Sequence, residues 1–306
     1  MLEICVQSGK WYQENDPEWS FRLIHECGFE GIDYSMNLLL DCKELLKGIP
    51  SKFFDQSTEE MLAYYRPVKE AAQRYGVKIL QMHAPMPLYV EGREDIDEYL
   101  IQSVDKCCAV CGFLGCPALV VHSALHPDKA AEKEINLQMY RKLIPSAKKY
   151  GVKICPENIY DWNKGHILEG PCSDVMEACW YVDTLNEEAG EEIFGFCLDV
   201  GHANLLGRNI HKFILGLGKR LTILHIHDNS SEVDEHLIPY TVFTHGIDWN
   251  GFLTGLREIG YTGPLSFEIS PAINLLPEDA KAEGLKLAGA VGRSFRKRIM
   301  EPVSGL

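Results

Sequence analysis

Apolar positions along the chain follow two alternating patterns. Eight short, largely β-branched runs (LEICVQS, FEGIDYSM, VKILQMHAP, ALVVHSA, VKICPEN, FGFCLDVGH, LTILHIHDN and PLSFEIS) are separated by longer stretches with helical spacing. Those stretches include MLAYYRPVKEAAQRYG, AEKEINLQMYRKLIPSAKKYG and DWNGFLTGLREIG. The runs predict strands buried on both faces, and therefore paired in parallel; the stretches predict the helices that cover them. Glycines in CGFEG, RYGVK, FLGCP, KYGVK and EIGYTG sit where a helix end favours a left-handed residue. Eight strand–helix units predict a (β/α)8 TIM barrel, with residues 1–306 as one domain. An open doubly wound sheet is the main competitor. No G-x-G-x-x-G follows the first strand, which counts against its nucleotide-binding versions.

A barrel changes how the polar residues read, because its active-site groups come from the C-terminal ends of the strands and the loops that follow. The third run ends in His83, the fourth in His122, and the fifth in Glu157 and Asn158. The sixth ends in Asp199 with His202 close behind, the seventh in His225, His227 and Asp228, and the eighth in Glu268. Each residue alone has a plain structural reading: a hydrogen-bonded histidine, an aspartate capping a turn, a glutamate paired with a lysine or arginine. Together they deliver carboxylates and imidazoles from six strands to one mouth. Carboxylates so gathered repel one another unless a cation sits among them. The convergence predicts a bound divalent metal. Two Glu, one Asp and one His form a mostly oxygen ligand set suited to Mn²⁺, Mg²⁺, Co²⁺ or Zn²⁺.

The segments ICPEN, LDVGH, LHIHD and FEIS, in this order and placement, resemble the xylose isomerase-like barrel superfamily over nearly the whole chain. That group includes ketose 3-epimerases, inosose-processing enzymes, hydroxypyruvate isomerases and zinc-dependent apurinic endonucleases. The resemblance implies one metal held by Glu157, Asp199, His225 and Glu268. It also implies that Glu157 and Glu268 carry protons on opposite sides of a bound sugar, and that His202 contacts a substrate oxygen. His83, His122 and Trp162 are further candidates for substrate binding. Ser231 stands six residues after the metal histidine, where the 3-epimerases carry an arginine, so the pocket departs from theirs. His227 is expected to orient a partner beyond the end of the strand. Asp234 and His236 resemble additional zinc ligands of the apurinic endonucleases, whose others are matched by His83, His122 and His202. More than one Zn²⁺ is then expected. The competing reading is that Asp234 and His236 fix the loop over the pocket.

The implied reaction is isomerisation or epimerisation of a sugar or a sugar-derived ketone. A proton α to a carbonyl is too weakly acidic for an unaided carboxylate. A Lewis-acid metal and two flanking glutamates meet that need. β-Elimination, as in inosose dehydration or cleavage of carbon-linked glycosides, uses the same parts and expels a leaving group. Two further chemistries compete with these: hydrolysis of phosphodiesters at abasic sites with clustered zinc, and non-catalytic binding of a sugar or metal. Trp11, Tyr12 and Trp162 follow strand ends and either stack on a sugar or pack under loops.

Composition narrows the partners. A net charge of −14, with RSFRKR (Arg293 to Arg298) as the one dense basic run, speaks against nucleic acid. That run suits the exposed C-terminal end of a helix. No apolar run reaches membrane-spanning length and no secretion leader is visible, so no membrane partner and a cytoplasmic location are expected. The 11 cysteines, including the helical cluster Cys107, Cys108, Cys111 and Cys116, read as reduced, packed thiols. A carbohydrate without phosphate is the expected substrate, since no glycine-rich phosphate cradle is present. The apolar loop IPYTVF, residues 238–243, is a candidate surface for a second copy, and a partner subunit is a further expectation.

Overall fold

The computed structural model describes residues 2–301. Eight parallel strands form a ring: β1 (Ile4–Gln7), β2 (Gly31–Ser35), β3 (Lys78–His83), β4 (Ala118–Val120), β5 (Lys153–Cys155), β6 (Phe196–Asp199), β7 (Leu221–His225) and β8 (Leu265–Phe267). Parallel ladders run from β8 through β1 to β5, and a further ladder joins β6 to β7. Single bridges close the gaps: Ile154–Phe194 and Glu157–Cys197 between β5 and β6, Ile226–Phe267 between β7 and β8. The expected (β/α)8 barrel forms, and every expected apolar run contributes a strand.

The helices start and stop for local reasons. The helix Thr58–Tyr75 begins at a capping box, in which the Ser57 hydroxyl accepts the Glu60 N–H and the Glu60 carboxylate accepts the Ser57 N–H. The glycines expected to end helices, Gly28, Gly76, Gly115, Gly151 and Gly260, have φ between +64° and +84°. Cys107, Cys108, Cys111 and Cys116 are buried and free, as packed thiols should be. The basic run is less exposed in its role than expected. Arg296 pairs with Glu30 at 2.6 Å, and Arg298 donates to Tyr240 Oη at 2.7 Å, tying the last helix (Lys281–Met300) to the barrel. In the loop 238–243, Ile238 is buried while Phe243 is fully exposed. No helix among the described residues is long and apolar enough to cross a membrane.

Strand parity positions the site. Residues two apart share a face, so a lumen-facing residue low in a strand predicts an inward one near its end. Cys155, Cys197 and Ile223 belong to a small buried cluster with Ala118 and Val120. Two positions on from them stand Glu157, Asp199, His225 and, from Val120, His122. A plug of small apolar side chains therefore fills the lumen beneath a polar layer.

One substantial element lies outside the expected alternation. Tyr160–Asn163 and His166–Glu169 form an antiparallel hairpin after β5, turning at Lys164 and Gly165, both with positive φ. Its arms are mostly exposed, so no buried apolar run announces them.

Candidate active site

Glu157, Asp199, His225 and Glu268 each offer one ligand atom, and these four atoms lie within 4.8 Å of one another. His225 Nδ1 is 2.9 Å from Glu157 Oε1, 3.1 Å from Glu268 Oε2 and 3.9 Å from Asp199 Oδ2. The opposite ring nitrogen, Nε2, is 3.1 Å from Asp33 Oδ2, and the Gln81 amide donates to that same oxygen at 2.9 Å. Asp33 thus reaches across the lumen from β2 and sets the ring so that Nδ1 faces the carboxylates. Neither Asp33 nor Gln81 ends a strand, which is why strand-end reasoning passes over them. The available signal was a polar residue at the inward parity of a buried run.

Asp199 is held from several sides. Its carboxylate accepts the His202 N–H at 2.7 Å, and both of its oxygens lie 3.0 Å from His227 Nε2. The Asn158 side chain exchanges two hydrogen bonds of 2.8 Å with the Asp199 backbone. Gly201 makes room for His227: a Cβ there would fall 1.9 Å from the imidazole. β7 ends at His225, and His227 beyond it faces Asp199 and stacks on His236 with centroids 3.9 Å apart.

Two further groups flank the centre. His83 Nε2 lies 3.0 Å from His122 Nε2, which is 2.7 Å from Glu157 Oε2. On the other side, His202 Nε2 and His236 Nε2 lie 3.3 and 3.1 Å from Asp234 Oδ2. Three of these rings share one device: Nδ1–H donates to a backbone carbonyl, of Ala84 for His83 (2.8 Å), Asn158 for His202 (2.8 Å) and Glu268 for His236 (2.9 Å). In the neutral ring this leaves the Nε2 lone pair facing inward.

The electrostatics follow from burying so many carboxylates. Burial pushes the Glu157 carboxyl up, but the His225 and His122 imidazoles outweigh it and hold it well below the usual range. Asp199 is likewise raised by burial and brought down on balance by His202 and His227. Burial disfavours protonated His225, yet Cys197, Glu268 and Glu157 drive its pKa well above that of a free imidazole. His236 is pushed up to about 9, its burial outweighed by Asp234 and Glu268. His83 goes the other way, lowered by burial and by His122. The protein without metal must gather protons to balance its acids.

The donor set fits a divalent cation. Glu157 Oε2 and Asp234 Oδ1 are buried without an aligned hydrogen-bond donor, and lone pairs from imidazole and carboxylate converge where such an ion would be held.

Above this floor opens a cavity of about 750 Å³. His83, His122, Glu157, His202, Asp234, His236, Glu268 and the half-exposed Trp162 of the hairpin all line it. Asp199 and His225 lie beneath, at 0% exposure. Trp11 and Tyr12 pack inside the protein and do not face the cavity: both are buried, Tyr12 edge-on to Phe21 and Tyr34. Ser231 is not among the lining residues.

Comparison with known proteins is consistent with this architecture. The uncharacterized protein y4fM of Sinorhizobium fredii is 23% identical over 279 residues, 85% of this chain and 82% of that one. Among solved structures, a D-tagatose 3-epimerase-like protein superposes with a TM-score of 0.71 at 19% identity, over 97% of this chain and 98% of its own. The 3-keto-D-glucoside 4-epimerase YcjR of E. coli gives 0.71 at 15% identity, over 96% of this chain and 100% of its own. The IOLI protein with a bound zinc atom gives 0.69 at 21% identity, over 96% and 98%. The family described as Xylose isomerase-like TIM barrel matches residues 21–288, and the chain belongs to that family.

Proposed function

We propose that the protein is a divalent-metal-dependent isomerase or epimerase of a sugar or sugar-derived ketone. The observation that supports this most is the four-residue set on the cavity floor, in which Glu157 and Glu268 approach one point from different strands. The epimerase names of the similarly folded structures support the same reading. Glu157, Asp199, His225 and Glu268 would hold the cation. When bound, it would polarise a substrate carbonyl and offset the charge that proton removal creates.

The side chains divide the remaining work. Glu268, the more open of the two glutamates, has access to a carbon beside the carbonyl; Gln7 donates to its Oε1 and fixes its direction. Glu157 serves the opposite face, positioned by His122 and His225. His202 and His83 contact substrate hydroxyl groups, which donate to the inward Nε2 lone pairs, and Trp162 stacks above. Glu268→Gln should keep the circular dichroism spectrum and lower turnover of a ketose by about 10²-fold or more, the share general acid–base catalysis supplies. A wild-type rate in that variant would falsify the assignment.

One observation favours a second reading. The His83–His122–Glu157 group beside the central four would suit another cation, and His202 and His236 both face Asp234 nearby, as zinc phosphodiesterase chemistry at abasic sites would require. Elemental analysis separates the two. About one ion per chain supports the isomerase; two or three zinc ions with cleavage of abasic DNA would replace it.

A further inference from the structure

Above the polar floor, the cavity wall carries a group of apolar side chains, and they come from the loops of three consecutive strands. The contiguous arc β8–β1–β2 contributes mainly polar groups, among them Gln7, Ser8, Lys10, Ser35, Asn37 and Ser270. The adjoining arc, β3–β4–β5, adds Met86, Leu125, Ile159 and Trp162 from its loops, above the His83, His122 and Glu157 of the floor. Three of these four leave a large apolar surface open to water, at 37% for Met86, 44% for Leu125 and 55% for Trp162. Scattered exposed apolar residues mean little, whereas a cluster on one wall of a ligand cavity marks what the cavity holds. Size points the same way. A hexose, six CH₂O units each about the ~30 Å³ of a water molecule, fills on the order of 200 Å³. The cavity has about 750 Å³.

We propose that the substrate is a sugar-derived ketone bearing a flat apolar substituent, such as an aryl glycoside with one ring hydroxyl oxidised to a ketone, with its sugar ring on the carboxylate–imidazole floor and its substituent against Met86, Leu125 and Trp162. The proposal rests on the reading of the floor as a sugar site. The polar arc takes up hydroxyl groups of the ring. The hairpin brings Trp162 over the apolar arc, where an aromatic ring gains both buried area and stacking.

The test is equilibrium binding to the metal-loaded protein by calorimetry, using matched methyl and phenyl glycosides of glucose, galactose, mannose and xylose, each also with one ring hydroxyl oxidised to the ketone, with phenol as control. For at least one sugar, the phenyl member should bind about tenfold tighter than its methyl partner. Leu125→Ala should reduce that ratio at least about threefold. Equal affinity of every matched pair overturns the proposal and leaves the sugar site standing. Phenol binding as tightly as the phenyl glycosides, or no binding by any of them, overturns the sugar reading with it.

Discussion

His225 is oriented from behind, and that has a measurable value. Its Nε2 faces Asp33 across the lumen while Nδ1 faces the three carboxylates. Asp33→Asn keeps the volume and removes the charge that favours this ring orientation. The expected result is metal affinity weakened about 10- to 100-fold, read by competition with a chelator, with little change in the far-ultraviolet spectrum. The protons gathered by the metal-free site predict a pH dependence. His236 has a folded pKa of about 9 against 6.5. Being raised, it contributes stability that is fully present below pH 6.5 and lost as pH rises through 9. Chelator-treated protein should therefore lose melting temperature across that window, and His236→Gln should flatten the decline. Strand ends made most of the floor legible in the sequence, because polar residues closing apolar runs stand out. Asp33 and Gln81 did not stand out: their partners, His225 and one another, come from strands distant along the chain.

At the scale of elements, the strands and helix ends were legible because each carries its cause locally. The hairpin Tyr160–Glu169 was not, because its half-exposed strands bury no continuous apolar face and only the Lys164–Gly165 turn marks it. The helix ends also give a clean stability test. Gly151 has φ +64°, and a Cβ there would meet nothing within 4 Å. Gly151→Ala should therefore cost about 1 kcal/mol from backbone strain alone, seen as a lower urea midpoint at unchanged slope. Gly201 differs in kind, since there the neighbouring imidazole fills the space a side chain would need.

For the whole molecule, buried acid is the main electrostatic liability, and a tightly bound cation should stabilise the fold. Ligand linkage gives about 3 kcal/mol at a hundredfold excess over Kd, on the order of 5 °C in Tm for a chain of this size. Chelation should lower Tm by about that amount, and one equivalent of the right ion should restore it. If one equivalent restores only part and three restore all, the flanking histidine groups bind as well.

The four central candidate ligands all come from the second half of the chain, at positions 157, 199, 225 and 268, while several of their supports, Gln7, Asp33, Gln81 and His122, come from the first. During synthesis the supports emerge long before the groups they serve. Glu268 follows Asp33 by 235 residues (268 less 33). The central site therefore cannot be complete on a nascent chain until the eighth strand is made. On the proposed reading, a cation held by all four would be acquired after that strand and not during the early folding of the first half.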